Sequence, residues 1–169
     1  MGLFGSETFE SLRDLFKHNL EDTYDAAIRL GQALPKMKEK ATSAKLKLLF
    51  DEFAEQTEVQ KLRLEQVFEA FGDKPERETC PAMKGLIQEG EEMLSATGDV
   101  DAIDAALIMS AQRIAHYKIA AYGSARCQAA ALGRENVPAI LQKSLDEVGA
   151  LDGKLADLAT SVCNPKAAV

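Results

Sequence analysis

The stretch GDKPERETCPAMKGLIQEGEEMLSATG, residues 72–98, decides the fold of this chain. It is too long for a tight turn. Glycines bound it at 72 and 98, and only its centre has helical spacing, opened by Pro81 and carrying Met83, Leu86, Ile87, Gly90 and Leu94. Such a segment can travel the whole length of a helical bundle before the next long helix begins. The question is what lies on either side of it.

Two long helical segments precede it and two follow. The first is expected from about Ser6, a plausible N-cap, to Met37, with Phe9, Leu12, Phe16, Leu20, Tyr24, Ala27 and Leu34 on one face and Pro35 placed to kink its last turn. The second is expected over 43–71, ending at Gly72, with the seam Leu46, Phe50, Phe53, Thr57, Gln60, Leu64, Val67, Phe71 alternating steps of four and three. The short helix spans 81–97. A fourth helix covers 100–132 and stops at Gly133; a fifth covers 137–162, with Pro138 in its first turn and the seam Val137, Leu141, Ser144, Val148, Leu151, Leu155, Leu158, Val162. Residues 163–169 read as a disordered tail. No segment alternates as a strand, so the chain is expected to be all-α and, over 1–169, one domain. Tight links pair the first two helices and the last two, and one long crossover joins the pairs. That is a ferritin-like four-helix bundle with a short extra helix.

Composition narrows the function. The 169 residues carry a formal charge of -7, against the clustered Lys and Arg that phosphate binding needs, so nucleic acid is not an expected partner. No apolar run reaches the roughly 18 residues that span a bilayer, and MGLFGSETFESL lacks the basic and apolar regions of a signal peptide. Gly2 with Ser6 fits a myristoylation pattern only superficially. A cytoplasmic protein without membrane partners is expected. Cys80, Cys127 and Cys163 are odd in number and have no CxxC spacing, which suits buried reduced thiols.

The segments LEDTYDAAIRLGQALPKM (20–37), CPAMKGLIQEG (80–90), DAALIMSAQRIAHYKIAAYG (104–123) and LDEVGALDGKLADLA (145–159) resemble the YciE/YciF-type ferritin-like stress proteins. The resemblance covers roughly residues 9 to 160. It implies a rubrerythrin-like bundle, a homodimer, an association with stress responses and a candidate di-metal site.

That site needs about four carboxylates and usually two histidines facing inward, commonly from Glu-x-x-His pairs. This chain contains no ExxH: Leu15 precedes His18 by three places and Arg113 precedes His116. Between Asp104 and Glu135 there is no acid at all. Where the resembling family reads YxAE, this chain has Ala27; for HxxET it has Phe53 and Gln56. VEHYE becomes IAHYK, with Ala115 and Lys118 at the acid positions. LEEEKATD becomes LDEVGALD, with Val148 at an acid position but Glu147 and Asp152 kept. The expected catalytic, cofactor and metal sets are therefore none. Residues left that could ligate are Asp22, Glu55, Glu58, His116 and Glu147, with iron or manganese the metals they would suit. His116 is expected to be packed or hydrogen-bonded rather than metal-bound.

Two further features need a three-dimensional answer. Lys118 would either project its ammonium toward neighbouring acids or snorkel to water, and snorkelling is the expectation. Gly149 and Gly153 form a GxxxG that would suit close approach of another helix, at a dimer interface, or mere local looseness. The leading expectation is a non-enzymatic, metal-free ferritin-like homodimer with a stress-related structural or binding role. The alternatives are a di-iron or manganese oxidase or ferroxidase with an altered ligand set, and a helical module that docks another protein.

Overall fold

The computed structural model describes residues 8–168; Gly2 and Ser6 lie outside them. Helix α1 runs Leu12–Lys40, α2 Ala44–Ala70, α3 Pro81–Leu94, α4 Val100–Ala131 and α5 Val137–Leu158. A π-helical turn, Ala159–Cys163, leads into a last short helix, α6, Asn164–Ala167. No strand occurs among the described residues.

Most starts and stops have a local cause. Ser11 caps α1, its Oγ accepting from the Asp14 N–H at 3.1 Å, so the helix begins inside the expected span. Phe9 and Leu12, expected on the core face, are accordingly exposed. Proline removes a helical hydrogen bond, yet α1 continues through Pro35 to Lys40. Leu34, Met37 and Ala41 are buried across that turn, and their packing holds it. Gly72 and Gly133 take positive φ, 74° and 73°, where α2 and α4 end, a conformation that costs glycine little.

The short α3 stops at Leu94 rather than 97, because the chain must turn there to reach Asp99, the N-cap of α4. Lys40 Nζ ties this turn down by donating to the Ala96 carbonyl at 2.8 Å. The tail expected to be disordered from 163 is helical through Ala167. The π turn inserts one residue into the helical repeat, so Cys163 is buried in place of Val162. At the end of α2, Phe68 is buried, while Phe71, the residue just past the helix, is only partly covered.

Contacts between helices give the topology. Asn19 donates to the Ala121 carbonyl, and Thr42 donates to Asp104, so α1 and α4 are antiparallel neighbours. Lys154 pairs with Glu52, and Arg63 with Glu147, so α2 and α5 are antiparallel as well. The hairpins α1–α2 and α4–α5 complete a four-helix bundle in which α2 and α4 run the same way. Joining two parallel helices requires a full-length return. Residues 72–98 make it along α1, from the Lys17–Glu76 pair at one end to the Lys36–Glu91 pair near the other.

Candidate functional site

The interior at the bundle's midpoint is where a metal centre would have to lie. Its walls are Ala27 from α1, Phe53 from α2, Ala115 and Lys118 from α4, and Val148 from α5, all buried. Gln56 is partly buried; its Nε2 donates to Glu52, and its Oε1 has no hydrogen-bond partner among the described residues. Five of these six positions offer no oxygen donor and the sixth a neutral amide. The donor set does not fit a di-metal centre. Among the described residues no three of His, Cys, Asp and Glu come together in a metal-binding group.

Lys118 does not snorkel. It is 2% exposed, and its Nζ donates to Thr57 Oγ1 at 3.2 Å while lying 5.1 Å from the Phe53 ring centroid and 6.0 Å from that of Tyr122. The reason is position: the 111–115–118–122 face of α4 points to the bundle axis, and all four residues are buried there. A side chain at that depth has no path to solvent. Burial pushes its pKa from 10.5 down to about 7, and the Glu147 carboxylate offsets this only in part.

Glu147, one of the five residues left that could ligate, is engaged otherwise. Arg63 binds it with both terminal nitrogens at 2.7 Å, and Gln60 Nε2 donates to it at 3.0 Å. The Arg63 fork outweighs burial and holds this carboxyl below the usual carboxylate range. Ser144 adds a weak contact to Arg63 at 3.4 Å. The Gln60 Oε1 and Tyr122 Oη atoms are buried without a partner among the described residues. Thr57, Gln60, Lys118, Tyr122 and Ser144 therefore form a partly satisfied polar core beside an ion pair.

The other four go elsewhere. Asp22 accepts from the Tyr117 hydroxyl. Glu58 pairs with Lys61 on the outer side of α2, and Glu55 is exposed. His116 is 68% exposed, its Nε2 3.1 Å from Asp152 Oδ2; it is hydrogen-bonded but not packed. One more expectation fails at Cys127, which is exposed, whereas Cys80 and Cys163 are buried.

A second polar cluster fastens the crossover to the bundle. Asp25 is buried on α1 and accepts from the Cys80 N–H at 2.9 Å, from Arg29 Nε at 2.5 Å and from Arg77 at 2.7 Å. Burial pushes its carboxyl up, but these three donors together hold it below the usual range. Because the Tyr117 proton is given to Asp22, the Cys80 thiol is the donor in its 3.1 Å contact with Tyr117. Cys80 Sγ also caps α3, accepting from the Met83 N–H at 3.2 Å. Burial raises the thiol pKa, so Cys80 is built as a structural thiol. At the far end, buried Asp104 accepts from Thr42 N, Thr42 Oγ1 and Ser43 N at 2.7–2.8 Å, tying α4 to the α1–α2 link. Sequence reasoning did not foresee these structural roles of Asp25 and Asp104. The one available signal was a single acid among apolar neighbours, DAALI at 104–108 and YDAAI at 24–28.

A family model described as "Domain of unknown function (DUF892)" matches residues 11–168. The chain is 39% identical to Protein YciF of Escherichia coli strain K12 over 159 residues, which is 94% of this chain and 96% of that one. The crystal structure of the E. coli stress protein YciF is similar with a TM-score of 0.89 and 38% identity, over 92% of this chain and 99% of that one. A structure of YcfI from Rhodopseudomonas palustris, described as a candidate structural protein, is similar with a TM-score of 0.86 and 38% identity, over 90% and 98%.

Proposed function

The chain belongs to the DUF892 family, and from that premise we propose that it is a non-enzymatic, metal-free protein of the ferritin-like type, with a stress-related structural or binding role. The observation that carries this reading is the chemistry at the bundle's midpoint. An ammonium group, an aromatic ring and small apolar side chains stand where inward-facing carboxylates would be needed. In its charged form the buried Lys118 repels a second cation, and Glu147, the acid that acts on it, is already held by an arginine fork. The stress-related part rests on the name of the E. coli relative, and the structural part on the description of the R. palustris one. The protein is further proposed to act as a homodimer in the cytoplasm; among the described residues no helix is long and apolar enough to cross a membrane.

Metal analysis of protein expressed with added iron and manganese tests the reading. Substoichiometric metal after desalting is expected. About two ions per chain, retained and coupled to O₂ consumption, would establish instead an oxidase or ferroxidase with an altered ligand set. Sedimentation analysis tests the dimer, with a monomer at micromolar concentration the contrary result.

A further inference from the structure

Between α1 and α3, on the outside of the bundle, lies an open groove of about 480 Å³. Three cations line it: Arg29 and Lys36 from α1, and Lys84 from α3. Among the described residues, Glu91 is the only acid in its walls. Its floor is apolar where Ala33 meets Ile87, and from there a narrow crevice runs on toward Met37, Leu94 and Ile114. In a chain of net charge -7, a concave surface with this excess of positive charge is locally the opposite of the whole.

We propose that this groove binds a small organic oxyanion, a phosphate or carboxylate head joined to a compact apolar body. The proposal goes beyond the structural reading above and does not depend on it. Arg29 is preorganised for the task. Its Nε is fixed on Oδ2 of buried Asp25, which also accepts from the Cys80 N–H, while Arg77 holds Oδ1. Its two terminal nitrogens make no hydrogen bond to any described residue, and such a fork matches an oxyanion in a bidentate manner. The Lys84 ammonium has no carboxylate or hydrogen-bond partner among the described residues. Lys36 meets Glu91 at 3.4 Å in an exposed pair, which an incoming anion can replace at little cost. The apolar body then rests on Ala33 and Ile87, removing their surface from water.

The test is titration calorimetry of the full chain with phenyl phosphate, together with amide shift mapping by NMR. Saturable binding at a single site is expected, with shifts confined to α1 near 29–36 and α3 near 84–91. Losing a charge-assisted contact in Lys84→Ala should weaken binding about tenfold or more, with Lys84→Arg restoring it. Gln88→Glu, which adds a carboxylate to the groove wall, should weaken it as well. Both positions are exposed, so the fold is expected to survive, and circular dichroism verifies that. Lys143→Ala, on exposed α5 surface away from the groove, should bind as the native chain does. Absence of saturable binding, or native affinity in Lys84→Ala, overturns the proposal. An equal loss in Lys143→Ala overturns it in favour of diffuse charge attraction. Inorganic phosphate is expected to bind several-fold more weakly; equal affinity removes the apolar half of the proposal.

Discussion

Replacing Lys118 with methionine should stabilise the protein at neutral pH, by an amount that shrinks as the solution becomes alkaline. The cause is the buried amine. Folding lowers its pKa from 10.5 to about 7. At about 1.4 kcal/mol per pKa unit, the charged form is disfavoured in the fold by on the order of 5 kcal/mol. The sign follows from proton counting. Between about 7 and 10.5 the unfolded chain holds a proton on Lys118 that the folded chain has released. The unfolded state thus binds more protons, and the stability of the native protein rises with pH through that window. Below it, both states are protonated and the fold bears the full cost of burying an ammonium ion.

Methionine matches lysine closely in length, fills the space against Phe53 and Tyr122, and carries no charge. The variant should therefore exceed the native protein by several kcal/mol at about pH 6, less the lost hydrogen bond to Thr57. That advantage should fade toward about pH 10. Urea unfolding followed by far-UV circular dichroism, repeated across this range, measures it as the difference between the two proteins. Taking the difference cancels other groups whose protonation changes on unfolding across this range. If Lys118→Met is destabilised at neutral pH, or if the difference does not move with pH, the reasoning fails. Lys118 would then be a net-favourable partner of Glu147 and not a buried charge under strain.

Other expectations are simpler to read. Asp25→Asn leaves Arg29 and Arg77 without their carboxylate and should cost about 3 kcal/mol near neutral pH. Because folding lowers the Asp25 pKa, its contribution is present above the ordinary 3.8 and is lost as pH falls through the folded value; a penalty that persists unchanged in acid would contradict the network. Gly149 and Gly153 have open space where a Cβ would stand, so alanine at either should add about 1 kcal/mol in the isolated chain. A loss of stability together with dissociation of a dimer would place that pair in an interface between copies. A thiol reagent should modify Cys127 in the native protein and reach Cys80 and Cys163 only on unfolding, as mass spectrometry of the labelled chain would show.

Much of the architecture was legible because it depends on periodicity and punctuation. The seam from Leu46 to Val67 is buried residue for residue, and so is the one from Val137 to Leu158. Gly72 and Gly133 end helices because no other residue takes positive φ so cheaply. Errors gathered where packing competes with local preference. Held by buried neighbours, α1 runs past its expected end at Met37 to Lys40, and the π turn moves burial from Val162 to Cys163. The midpoint was legible in what it lacks, since missing acids at 27, 115 and 148 can be read directly. What fills it was not. A lysine on a helix face looks alike whether its end reaches water or not, and only the depth of α4 decides.

The amino-acid sequence alone determined an all-α chain, its helix order, the long crossover and an interior poor in ligands, because each follows from residue type and spacing along one strand of chain. Tertiary structure decided which polar groups meet. Asp25 with Arg77, Asp104 with the α1–α2 link, Arg63 with Glu147 and Lys118 with Thr57 join residues more than fifty positions apart. Such partners are chosen by how helices lie side by side. No local preference along the chain carries that information.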